Sequence, residues 1–222
     1  MTTTRAALTE EDIRTRVKGA TPDERAMAAQ KICRKIDRPD LSEEDRQRAS
    51  DILRVMAADA AELVRRAMAI TLKESAILPR DVALRLAEDV DSVCLPVLSF
   101  SPVFTDDDLA EIIRLGGAVQ QVAIAKRPSL SPKVTGAIAE HGVERAVEAA
   151  CANDRAEFSE SSLQKVISRF EASERVLAAV AYRQVLPMSV TERLIEMVGD
   201  QIRDHILSHH EISPETAVHL VL

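Results

Sequence analysis

Residues 103–113 read VFTDDDLAEII, three consecutive aspartates set between apolar residues. Either these carboxylates converge on a cation or a reacting group, or they open a helix. Consecutive helix positions point about 100° apart, so Asp106, Asp107 and Asp108 do not converge on one ion. Thr105 stands where a capping hydroxyl accepts an otherwise unpaired N–H of the first turn. Acids just behind it face the positive end of the helix dipole, and Phe104 is placed to staple onto that turn. The stretch reads as a capped helix start.

The same grammar recurs along the chain. A bulky apolar residue followed by Ser, Thr or Pro occurs at Leu78-Pro79, Phe104-Thr105, Leu130-Ser131, Phe158-Ser159, Leu186-Pro187 and Ile212-Ser213, at spacings of 26, 26, 28, 28 and 26. Eight residues past each anchor stand Leu86, Ile112, Ile138, Val166, Leu194 and Leu220. Nine past stand Ala87, Ile113, Ala139, Ile167, Ile195 and Val221. Each unit also holds an earlier apolar segment, such as VCLPVLSF at 93–100 or RVLAAVAYR at 175–183. That spacing predicts a first helix that is brief or partly 3₁₀. Gly116, Gly142 and Gly199 stand 12 or 13 residues past their anchors, where a left-handed helix stop is expected. A unit this small cannot bury its own apolar face, so neighbours must stack. The expected fold is all-α: an α-solenoid of short two-helix repeats, with a period shorter than that of HEAT or armadillo repeats.

Composition agrees. Of 222 residues 46% are hydrophobic and 29% charged, with four Phe, one Tyr and no Trp. The core must come from Ala, Leu, Ile and Val, which lets helices pack closely. A net charge of −7 argues against a general binder of nucleic acid or anionic membrane, although it leaves room for a local basic patch. Cys33, Cys94 and Cys151 are odd in number and far apart, which fits reduced core thiols of a cytoplasmic protein. No secretory leader pattern occurs, and no apolar run approaches the ~20 residues of a membrane span.

The first part of the chain departs from the period. Helices are expected near 9–18, 22–36 and 42–57, with a break at Pro39. Asp59 and Glu62 fit a capping box opening a further helix through about residue 73. Residues 1–58 are read as an N-terminal bundle that caps the array, and 59–222 as about six two-helix repeats.

The stretch LPRDVALRLAEDVDSVCLPVLSFSPVFTDDDL, residues 78–109, resembles a bacterial domain-of-unknown-function family known chiefly from alphaproteobacteria. AIAKRPSLSPKV, residues 123–134, is similar to leucine-rich-repeat-variant and HEAT-like units. The resemblance covers residues 50–222. It implies a helical-repeat protein with a binding or regulatory role and no catalytic residues to transfer. Members of the family often extend further at the C-terminus. Ala217, Leu220 and Val221, on a helix expected from Ser213, have no following repeat to cover them. Either a homodimer through this end face or further chain is expected there.

Candidate sites are few. His205 and His209 are four apart in DHILSHHE, so one helix face can hold both, with His210, Glu211 and His219 nearby. No HExxH arrangement is present. This cluster is the single visible basis for a metal-dependent or small-molecule enzyme; a polar helix end, where His is common, is the simpler reading. No GxSxG, Gly-rich phosphate loop or adjacent Cys/His pair occurs, and residues 1–64 lack the His that a phosphotransfer bundle needs. A helical-repeat nucleic-acid binder lacks the basic, aromatic-lined groove it requires. Three residues before their anchors stand Arg127, Arg155 and Arg183, each 28 apart, then His209. Stacked at ~8–10 Å per layer, the arginines form a row about 20 Å long. Such a row either complements helix ends and loop carbonyls or binds an acidic or phosphorylated segment of another protein. The expected function is a non-catalytic protein-binding scaffold or regulatory module without a cofactor.

Overall fold

The capping hydroxyls organise the chain as the spacing requires. In the computed structural model, which describes residues 21–38, 41–214 and 216, Thr105 Oγ1 accepts the Asp108 N–H at 3.2 Å while Asp108 Oδ2 accepts the Thr105 N–H at 2.8 Å. Asp108 is thus a buried member of a reciprocal cap. Ser131, Ser159 and Ser213 accept N–H groups three residues on in the same way. Pro79 and Pro187 take the cap position without a side-chain bond.

The described residues form thirteen α-helices. The chain divides into two compact units, Met1–Phe104 and Thr105–Leu222. The first holds α1 (Pro22–Ile36), α2 (Glu43–Ala57), α3 (Glu62–Leu72), α4 (Arg80–Ala87) and α5 (Asp91–Phe100). The second holds α6 (Asp106–Leu115), α7 (Ala118–Ala125), α8 (Pro132–His141), α9 (Glu144–Cys151), α10 (Glu160–Arg169), α11 (Glu174–Ala181), α12 (Met188–Met197) and α13 (Asp200–His209).

In both units alternate helices lie side by side, which is solenoid packing. α1 packs on α3, α3 on α5 and α2 on α4. In the second unit α6, α8, α10 and α12 form one row, and α7, α9, α11 and α13 the other. The first helices of the repeats α7, α9 and α11 are brief, eight residues each, and α-helical throughout. The same alternation pairs α1, within residues 1–58, with α3, which lies beyond them. The periodic positions fill the core: Leu86, Ile138, Val166 and Leu194, with Ala87, Ile113, Ala139, Ile167 and Ile195, are buried, and Ile112 is half-buried.

Two local expectations are corrected. Gly116 and Gly142 end their helices in extended conformation, at φ −80° and −64°, and no described glycine has positive φ. The glycine serves close approach instead: a Cβ at Gly142 would sit 2.5 Å from the Ile138 carbonyl oxygen and 3.1 Å from Val147 Cγ2. Gly199 begins α13 rather than ending α12. The Asp59–Glu62 capping box does not form. Asp59 Oδ1 accepts the Ala61 N–H and both its oxygens take the Arg25 guanidinium, while Glu62 accepts the Ser92 hydroxyl. A long-range cation outcompetes the local cap. The helix expected at 9–18, the break at Pro39, and Ala217, His219, Leu220 and Val221 with the dimer end face lie outside the described residues.

Candidate functional site

A helix leaves its last four carbonyls without intrahelical donors, and an eight-residue helix has proportionally many. In the second unit the next repeat supplies the donors. At the end of α7, Asn153 Nδ2 donates to the Arg127 carbonyl at 2.8 Å and lies 3.4 Å from that of Ala125. At the end of α9, Arg183 donates from Nη1 to the Cys151 carbonyl at 2.9 Å and from Nη2 to that of Ala156 at 2.6 Å. At the end of α11, His210 Nε2 lies 3.1 Å from the Ala181 carbonyl oxygen. One backbone bridge joins the same loops: Leu130 N–H donates to the Arg155 carbonyl, and Glu157 N–H to that of Leu130 at 2.9 Å. The other row has clasps of its own. Arg169 donates to the Ala139 and Gly142 carbonyls at 2.6 and 3.1 Å, and buried Gln121 to that of Ile113 at 2.8 Å.

The three arginines at equal spacing therefore have unequal environments. Arg183 is half-buried, committed to carbonyls, and 5.0 Å over the Phe158 ring; burial pulls its pKa below the usual arginine value. Arg127 is half-buried too, its pKa lowered by burial against the opposing pull of Asp106. Arg155 is exposed, and its side chain has no hydrogen-bond or ion-pair partner among the described residues. The carbonyl clasps stand five, three and two residues before their anchors, as Asn, Arg and His. No sequence pattern marks them, because residue type and position both drift.

His209 is exposed and its ring stacks on that of His205, with centroids 4.2 Å apart at 21°. His209 Nδ1 is spoken for by the His205 carbonyl at 3.0 Å and Ser208 Oγ at 2.8 Å. The Tyr182 ring also meets that of His205, with centroids 4.3 Å apart at 48°. Burial first, then His209 and His210, lowers the His205 pKa. Stacked rings do not aim their nitrogens at a common point. Among the described residues no group of three His, Cys, Asp or Glu is placed to hold a metal ion. Cys33 and Cys151 are buried, and burial raises both thiols to about 12, so neither supplies thiolate at neutral pH.

The clasped loops of α9 and α11 are neighbours, since Arg183 of one bonds the backbone of the other. On this edge stand exposed Arg155, Tyr182 at 51% and Val185 at 81% of full exposure. The outward faces of α6, α8, α10 and α12 differ. There polar side chains pair across successive repeats: Lys133 with Asp107, Lys165 with Glu140, and Arg193 with Gln164 and Ser168.

No helix among the described residues is long and apolar enough to cross a membrane. Neither curated proteins nor solved structures provide a match to this chain. The model of a bacterial family described as "Uncharacterised protein conserved in bacteria (DUF2336)" matches residues 93–222. That match takes in the final turns of α5 and the whole clasped array of the second unit, more than half of the chain, and the protein belongs to this family.

Proposed function

We propose that the protein is a non-catalytic, cytoplasmic binding module whose HEAT-like second unit holds another protein on the loop edge formed by Arg155, Tyr182, Val185 and the His205–His209 stack. The observation that carries this reading is the contrast between two surfaces of one unit. The α6/α8/α10/α12 face spends its polar groups on itself and leaves a solvated lattice. The loop edge instead offers a tyrosine, a nearly free valine and an unspent guanidinium. Aromatic and Arg side chains dominate binding energy at interfaces, and Arg155 selects a carboxylate or phosphate on the partner. The clasps support the edge, because they fix the loop backbone on which these groups stand. The alphaproteobacterial setting implied by resemblance supplies the cell in which to look.

The test is photo-crosslinking in the native bacterium from position 185, with position 133 on the opposite row as control. One protein should be captured from 185 and not from 133, and Val185→Glu should cut its affinity about tenfold or more, as for a central interface residue. Capture from 133 alone, or an affinity unmoved by Val185→Glu, overturns the reading. Stoichiometric zinc in the purified protein would favour the enzyme alternative through His205, His209 and His210. A salt-dependent shift of DNA or RNA would favour the nucleic-acid alternative.

A further inference from the structure

The first unit carries a second, independent surface. Its arginines are mostly spent: Arg25 on Asp59, Arg54 on Asp51 and Asp81, Arg65 on Asp89. Of the cations that are not, Arg46 and Arg85 stand apart on α2 and α4, and four stand on α1 and α3. Lys31, Arg34 and Lys35 on α1 and Arg66 on α3 are exposed, and no hydrogen-bond or ion-pair partner meets them among the described residues. In a chain of net charge −7 such a cluster stands against the general trend.

The cations share their helix faces with apolar side chains. Positions 27, 31 and 34 form one stripe of α1, and 63, 66 and 70 one stripe of α3, by helical spacing. Met27 is 57% exposed, Leu63 41% and Ile70 46%. The two helices lie side by side and run in the same direction. Arg25 near the start of α1 bonds Asp59 ahead of α3, and Ser75 beyond α3 donates to Asp37 beyond α1 at 2.6 Å.

We propose that the α1–α3 face docks a short acidic amphipathic helix of a partner protein. Apolar anchors at i, i+3 or i+4 and i+7 of such a helix would cover Met27, Leu63 and Ile70, and its flanking carboxylates would meet Lys31, Arg34 and Arg66. Two other anionic occupants fit less well. A membrane-binding helix presents an unbroken apolar face with its cations on the polar side, whereas here Lys31 and Arg66 stand within the apolar stripes. A single-stranded nucleic acid needs aromatic platforms for its bases, and neither stripe has one.

The test is selection of a random displayed peptide library, long enough for about four helical turns, on the full chain. Lys31→Glu/Arg34→Glu/Arg66→Glu serves as counter-target. Enriched peptides should be rich in Asp and Glu with apolar residues at helical spacing. They should bind about tenfold or more weakly to the counter-target, as expected when charges across an interface turn repulsive. Lys31→Gln/Arg34→Gln/Arg66→Gln, which removes charge without adding repulsion, should weaken them to an intermediate degree with an unchanged thermal midpoint. Enrichment without that pattern, or affinity unchanged in both variants, overturns the proposal. So does stronger charge-dependent binding to phosphatidylglycerol vesicles or to duplex DNA than to any selected peptide.

Discussion

At the scale of single residues, chemistry follows what each side chain touches and not its place in the repeat. Arg155 and Arg183 are one period apart and the same residue, yet one faces solvent and the other holds carbonyls at the ends of α9 and its loop. Hydrogen bonds from a charged donor contribute about 1.5–3 kcal/mol each, and buried carbonyls stripped of a donor add a desolvation penalty. Arg183→Gln should therefore destabilise the protein by about 2–3 kcal/mol in chemical denaturation, while Arg155→Gln should fall within about 0.5 kcal/mol of wild type, as surface changes do. Equal losses in the two variants would mean that the clasp contributes nothing.

At the scale of elements, the period was readable because it is local. An apolar anchor, a cap and two core residues eight and nine positions on are all set within one helix, and the described anchors and core positions behave accordingly. The helix stops were misread for an equally local reason. Glycine at a helix end usually relieves a left-handed backbone, but here it makes room. At Gly142 a methyl would press on the Ile138 carbonyl and on Val147 of the next helix, so Gly142→Ala should cost about 1–3 kcal/mol, the range for overpacking. At Gly199 nothing lies within 4 Å of the same methyl. Gly199→Ala should cost less, below about 1 kcal/mol, because Ala caps a helix start more poorly than Gly but also restricts the unfolded chain. Thermal melts of the pair distinguish close approach from a conformational role: a left-handed requirement would penalise neither in this order.

At the scale of the whole molecule, charge links stability to pH. The Arg65 guanidinium, 2.9 Å from Asp89 Oδ1, holds that carboxyl below its ordinary value against the opposing effect of burial. A depressed folded pKa stabilises the native state at pH above the unfolded value, near 4, and the contribution disappears as pH falls through the folded pKa. Arg54 lowers Asp81 in the same manner. Asp89→Asn should be less stable than wild type at neutral pH and lose less on acidification below pH about 4. Identical acid slopes would show that Arg65 does not discriminate the charged form. Both pairs lie within the first unit; in the second, Arg114 lowers Glu111 and Lys165 lowers Glu140, so both units contribute acid sensitivity.

What the amino-acid sequence determined by itself is what short-range rules govern. Thr105 caps because of the Asp108 N–H three residues on, Leu194 is buried because of its place on its own helix, and the three aspartates are helix openers because consecutive side chains diverge. What only the tertiary structure decided is how groups 26 to 32 residues apart divide the backbone carbonyls between them. Arg183 reaches Cys151 and Ala156, Arg169 reaches Ala139 and Gly142, and Asn153 does at another position what Arg183 does at its own. Those bonds depend on how neighbouring repeats stack, which the period of the sequence does not encode. The same stacking leaves Arg155 and Val185 outside the clasps and available on the edge.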